Sequence, residues 1–97
     1  MYLVIRSKQP DVTADDIRAE LQEQCESYVE AELPQEYANT IKGDFLAVAY
    51  NMMQGQLVVF YHFNSDPRFE VNVVSDAEIN EELALRAFRQ KRNMFAA

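Results

Sequence analysis

The chain of 97 residues has little glycine, cysteine and histidine, and these shortages exclude several kinds of site. Its two glycines, Gly43 and Gly55, stand too far apart to build a glycine-rich loop for a nucleotide phosphate. A single cysteine, Cys25, cannot form an internal disulfide, which favours the reducing cytoplasm. A single histidine, His62, would have to serve as the base for any nucleophile. We therefore expect no enzymatic activity and no cofactor.

The positions of the lone cysteine and the lone histidine follow burial patterns. Cys25 falls in the apolar stripe of a predicted helix, and His62 falls in the most apolar run of the chain. Burial explains both positions, so a Cys25–His62 catalytic pair is the weaker interpretation. Asp15 with Asp16, or Asp76 with Glu78 and Glu82, could hold a metal, but no calcium-loop spacing with its central glycine occurs. We expect no metal site.

Long apolar runs are also missing. The longest nearly continuous apolar stretches cover residues 45–50 and 57–63, far short of the roughly 20 residues that a membrane helix needs. The first residues read as a strand and lack the pattern of a signal peptide. With 48% hydrophobic and 26% charged residues, the composition is that of a folded globular domain. We expect one domain over residues 1–97, located in the cytoplasm, with no membrane contact.

Basic residues are scarce in one part of the chain, which we call the acidic segment, residues 11–36. The net charge is −7, and this segment carries nine acids and one base, Arg18. The other 71 residues carry seven acids and eight bases. One segment therefore supplies all of the excess negative charge.

The first half of the chain predicts a strand and then an amphipathic helix. Tyr2–Arg6 alternates as a strand does, and Thr13 followed by Asp16 has the spacing of a helix N-cap. A helix from about 14 to 32 would place Ala14, Ile17, Leu21, Cys25 and Tyr28 on one side and Asp16, Glu20, Glu23, Glu26 and Glu30 on the other. Pro34 either ends this helix or opens a second short helix that runs to about Ile41.

The second half predicts further strands and a last helix. Residues 45–53 fit a helical stripe or a buried strand, and the unbroken apolar run favours the strand. Gln54-Gly55 predicts a hairpin turn into a central strand over Leu57–Phe63, and a strand over residues 69–73 follows the turn at residues 64–67. Ser75 has capping-box spacing and opens a helix over about 76–92, whose basic end (Arg86, Arg89, Lys91 and Arg92) complements the helix dipole.

These elements predict an α+β fold in which a small antiparallel sheet of three or four strands packs with two or three helices. The predicted order is β-α-α-β-β-β-α, or β-α-α-β-β-α if residues 45–53 are helical.

The acidic face of the first helix is the strongest functional signal. Like-charge neighbours such as Asp16 and Glu20 cost a few tenths of a kcal/mol each, and a basic partner would offset that cost. A row from Asp16 to Glu30 would span roughly 21 Å and would resemble a row of phosphates. The predicted partner-binding residues are Asp15, Asp16, Glu20, Glu23, Glu26, Glu30, Glu32 and Glu36. We expect them to bind a basic protein surface, while the net charge of −7 disfavours direct binding of nucleic acid.

In length, acidity and cysteine poverty, the chain is similar to the small phage-encoded anti-CRISPR proteins, especially type I-F inhibitors that act as DNA mimics. The resemblance implies that the acidic residues named above occupy the DNA-binding surface of an RNA-guided surveillance complex in the host cytoplasm. An immunity protein or antitoxin that covers the basic cleft of a nuclease would use the same face. A third hypothesis is a subunit that oligomerises through a sheet edge or through Tyr50, Phe60 and Tyr61.

Overall fold

A computed structural model of the protein describes residues 1–79. Its elements, in chain order, are strand β1 (Tyr2–Ser7), helix α1 (Ala14–Gln24), helix α2 (Gln35–Ala38), strand β2 (Phe45–Ala49), a 3-10 turn (Tyr50–Met52), helix α3 (Gln56–Asn64) and strand β3 (Phe69–Val74). Residues 76–79 are helical. The α+β fold with a small antiparallel sheet, predicted from the sequence, is confirmed.

The sheet has the strand order β2-β1-β3, with both outer strands antiparallel to β1. Ile5 at its centre lies opposite Leu46 on one side and Val71 on the other. Residues 29–31 extend the sheet beyond β2, because the Ala31 amide donates to the Ala47 carbonyl at 2.9 Å and Glu30 forms a bridge with Val48. We call residues 29–31 the edge segment.

The core lies on both faces of the sheet. On one face, buried side chains of all three strands pack against α1 and α3 in a single cluster, which includes Leu3, Ile5, Ile17, Leu21, Val48, Val59 and Phe63. On the other face, Val4 and Ala47 pack with Ile79, and Tyr37 and Ile41 add partly buried contacts. The unbroken apolar run of β1 therefore serves two helical layers, because successive side chains point to opposite faces of the sheet.

Helix α1 begins as predicted and ends early. Thr13 and Asp16 form a capping box, which satisfies two amides of the first turn. The helix ends at Gln24, so the prediction that it runs to about residue 32 is wrong. Cys25 adopts extended backbone angles, and the chain then runs to the edge segment, where β2 offers unpaired backbone groups. Pro34 opens a second short helix, α2, as one of the two interpretations had it, and α2 ends at Ala38.

The prediction of a central strand over Leu57–Phe63 is also wrong, because these residues form helix α3. Strands β2 and β3 flank β1 and both run antiparallel to it, so they are parallel to each other. A connection between parallel strands must cross over the sheet, and a helix does this best. Val59 and Phe63, four positions apart, turn into the core. Gly55 is the N-cap of α3, with a φ of +63°, and makes no hairpin.

The remaining segments agree in part with the sequence patterns. The preferred strand within residues 45–53 is confirmed over Phe45–Ala49 and gives way to the 3-10 turn. The observed order is β-α-α-β-α-β and then the helical residues 76–79, so neither predicted order is correct. Ser75 and Glu78 form the predicted capping box. The rest of the helix predicted to residue 92, with its basic end, lies outside the described residues.

Candidate protein-binding surface

The predicted partner-binding acids do not lie on one helix. Asp15, Asp16, Glu20 and Glu23 are on α1, Glu26, Glu30 and Glu32 lie in the chain between α1 and α2, and Glu36 is on α2. The predicted straight row from Asp16 to Glu30 is therefore wrong. Helix α1 packs on one face of the sheet, the edge segment borders β2, and α2 lies on the other face. The acidic segment thus passes around the β2 edge of the sheet.

Arg18, the one base of the acidic segment, pairs with acids of the same segment. Its Nη2 lies 2.8 Å from Glu30 Oε1, and its Nη1 contacts Asp15. Glu30 lies opposite Val48 in the sheet, and paired residues project to the same face, so its carboxylate reaches α1. Hydrogen bonding and charge from Glu30, with a smaller contribution from Asp15, raise the pKa of Arg18. Arg18 thereby joins α1 to the edge segment.

Glu20 also has a structural partner. Its Oε1 lies 2.7 Å from His62 Nε2 on α3, and its Oε2 lies 3.8 Å from Arg68 Nη2. Arg68 is held in turn by Asp66 at 2.8 Å, and these hydrogen bonds lower the pKa of the Asp66 carboxyl. The Glu20 side chain is only 24% exposed. Glu20 therefore ties α1 to α3 and to the turn before β3.

The lone cysteine and the lone histidine are not neighbours in a catalytic pair. The Cys25 thiol lies 3.0 Å from the Ser27 carbonyl and 3.2 Å from the Gln54 carbonyl, in a buried position. The prediction that Cys25 is a core residue is confirmed. His62 is half-buried on the side of α3 that faces α1, and its ring contacts Glu20, so the prediction of a core strand position for it is wrong.

The other acids of the segment face solvent. Asp11, Asp16, Glu23, Glu26, Glu32 and Glu36 are all exposed, and we call them the acidic band. Within residues 1–79, none of Asp16, Glu23, Glu26 and Glu32 forms an ion pair, although Asp16 accepts the Thr13 amide at 2.9 Å. Asp11 extends the band beyond the eight predicted residues. Its exposure next to the α1 capping box was not recognised from the sequence.

An apolar strip lies on α3, beside the acidic α1. Leu57, Val58 and Tyr61 are each 64–65% exposed, and we call them the α3 strip. Reading residues 57–63 as a buried strand concealed this strip. No local signal in the sequence indicates it, because apolar residues occupy both the buried and the exposed positions of the run.

A cleft of about 490 Å³ opens on the opposite face of the sheet, next to Arg6, Lys42 and Glu70. Two of its charged side chains are engaged with the protein, because the Arg6 guanidinium pairs with Glu70 and donates to the Lys42 carbonyl at 3.2 Å. The Arg6 contact lowers the pKa of Glu70. In residues 1–79, no buried side-chain nitrogen or oxygen lacks a hydrogen-bond partner.

Among residues 1–79, no three His, Cys, Asp or Glu side chains converge to hold a metal ion. None of the helices in that range has the length and apolar character required to cross a bilayer.

Comparisons of the chain with protein-family models, with curated proteins and with solved structures found no match. The function proposed below is therefore argued from the charges and the exposed side chains of the protein itself.

Proposed function

We propose that this protein is a non-enzymatic inhibitor that binds the basic nucleic-acid-binding surface of another protein through the acidic band. In this role it acts as a DNA mimic of the anti-CRISPR kind, blocking target DNA binding by a surveillance complex in the host cytoplasm. The observation that supports the proposal most is the pairing of Arg18 with Glu30 and Asp15. Because Arg18 pairs with acids that lie outside the acidic band, it does not neutralise the negative charge of the band.

The shape of the band also suits a basic groove. Its carboxylates follow the segment from α1, past the edge segment and onto α2, and so curve around one edge of the sheet. DNA-binding proteins present Lys and Arg side chains that follow a curved phosphate backbone. Complementary charge would speed association with such a surface and select against acidic partners. The protein itself, at −7, would be repelled by nucleic acid.

The ion pairs separate three of the predicted residues from the rest. Asp15, Glu20 and Glu30 are engaged with Arg18, His62 or Arg68 and hold the helical layer together. Contacts to the partner would come from the acidic band, in particular from Glu23, Glu26 and Glu32.

A displacement assay tests the proposal. A fluorescent target duplex is bound to a purified type I-F surveillance complex, and the protein is titrated into the mixture in increasing amounts. We expect the protein to prevent or reverse duplex binding, and to do so less well as salt is raised, because the contact is electrostatic. Duplex binding that stays unchanged at saturating protein would contradict the anti-CRISPR role. Inhibition of a bacterial nuclease toxin in a parallel assay, without effect on the complex, would assign the protein to the immunity proteins.

A further inference from the structure

We propose that the α3 strip and the adjacent acidic flank of α1 form one binding surface, whose ligand is a cationic amphipathic helix on the partner protein. This inference rests on the proposed function, because it specifies the chemistry of the partner at one side of the acidic band. The partner helix would set apolar side chains on Leu57, Val58 and Tyr61 and a basic side chain on Glu23.

The α3 strip is unusual for a short surface helix. Its three large apolar side chains are each about two-thirds exposed, and their positions at i, i+1 and i+4 place them on the outward face. Helix α3 contains no Asp, Glu, Lys or Arg. The Phe60 ring, in edge contact with Tyr61 at 6.0 Å, continues the apolar surface. Contiguous exposed apolar patches of this kind mark binding sites for other proteins.

The C-terminal half of α1, which carries the exposed Glu23, lies beside this strip. The Glu20–His62 contact of 2.7 Å joins the middle of α1 to the last turn of α3, and the Cys25 thiol reaches the Gln54 carbonyl just before the start of α3. The helices are therefore antiparallel neighbours. One turn from that contact, Glu23 on α1 and Val58 on α3 come to the same level. Both side chains are exposed, so an acidic side chain borders the apolar strip at this level.

Charge complementarity selects the partner. A second copy of the chain would bring another −7 charge to the same surface, and such like-charge contacts oppose self-association. A cationic amphipathic helix satisfies the α3 strip and Glu23 together, because residues at i, i+4 and i+7 form one apolar stripe and basic residues can stand beside it. Packed helices lie about 8–10 Å apart, which allows one helix to contact both α3 and α1.

A pair of synthetic peptides tests this inference. The first is a helical peptide with Leu along one stripe and Lys or Arg along the next, and the second has the same charges with every Leu replaced by Ser. Titration calorimetry should show that the first peptide binds at least about tenfold more tightly, because only it buries apolar area on the α3 strip. The double variant V58S/Y61S should lose that preference. Val29→Ser is the matched control, since Val29 is 46% exposed on the edge segment, at the other flank of α1.

Equal binding of the two peptides to the wild-type protein would overturn the inference and leave the electrostatic proposal intact. Failure of both peptides to bind would also overturn it, while the displacement assay decides the proposed function separately. Sedimentation equilibrium that shows a dimer lost in V58S/Y61S would assign the strip to a second copy and contradict the inference. Thermal melts of both variants establish that each is folded, as expected for substitutions at exposed positions.

Discussion

Glu20 and Glu23 lie about one turn apart on α1 and have different surroundings. Glu20 is 24% exposed and contacts His62 and Arg68, whereas Glu23 is exposed and has no ion pair within residues 1–79. The sequence presents both as members of one acidic face. It could not reveal the difference, because the partners of Glu20 are more than forty positions away in the chain. Some carboxylates of the acidic segment therefore hold the fold together, and others are exposed to solvent.

Replacing Glu20 with Ala tests this division. Glu20→Ala should lower the free energy of unfolding by about 1 kcal/mol, because it removes a charge-assisted hydrogen bond between two helices. Glu23→Ala is the matched control, with the same substitution on the same helix, and should be neutral or slightly stabilising. Urea denaturation at pH 7 measures both values. Equal effects of the two substitutions would contradict the structural role of Glu20.

The acid sensitivity of the fold is expected to involve Asp66. Hydrogen bonds from Arg68 lower the pKa of Asp66 in the folded protein, so this carboxyl contributes stability above its unfolded pKa. That contribution disappears as the pH falls through the folded pKa. Asp66→Asn should therefore be less stable than wild type at pH 7 and should lose less stability between pH 7 and strongly acidic pH. Urea denaturation across that range would contradict the expectation if the two stability curves ran parallel.

At the scale of elements, topology decides the conformation of residues 57–63. Val, Phe and Tyr favour strands, and the run has no clear helical period because the α3 strip adds apolar residues to the exposed face. The crossover between the parallel strands β2 and β3 requires a helix and overrides that preference. The end of α1 has a similar cause, because the unpaired edge of β2 captures the edge segment as a strand-like bridge. Local patterns predicted β1, β3 and the caps, whose signals lie within a few residues.

Gly55 gives a test at this scale, because it starts α3 in the left-handed region with a φ of +63°. A Cβ at this position would meet no atom within 4 Å, so the cost of substitution comes from the backbone alone. Gly55→Ala should lower the free energy of unfolding by about 1 kcal/mol, and Gly55→Asn by less, since Asn tolerates this conformation. Urea denaturation measures both, with Gln54→Ala as the neighbouring control. An unchanged stability in Gly55→Ala would contradict the assigned start of α3.

At the scale of the whole molecule, the α+β class could be predicted, because it follows from local helix and strand signals. The excess of acid in residues 11–36 can be read directly from the sequence. The path of that segment around the sheet edge could not be predicted, since it depends on pairing with β2. The proposed binding surface is consequently a curved band in place of a straight helical row. Its apolar neighbour on α3 also follows from the packing of distant segments.

The central claim is that the acidic band makes the contact with a basic DNA-binding surface. The most direct measurement is displacement of target duplex from a type I-F surveillance complex by the variant E23Q/E26Q/E32Q. The control is D76N/E81Q/E82Q, which removes the same number of negative charges outside the acidic segment. We predict that the first variant is at least about tenfold weaker than wild type, since removal of several complementary charges lowers affinity, and that the second matches wild type. Equal potency of both variants and the wild-type protein would contradict the claim.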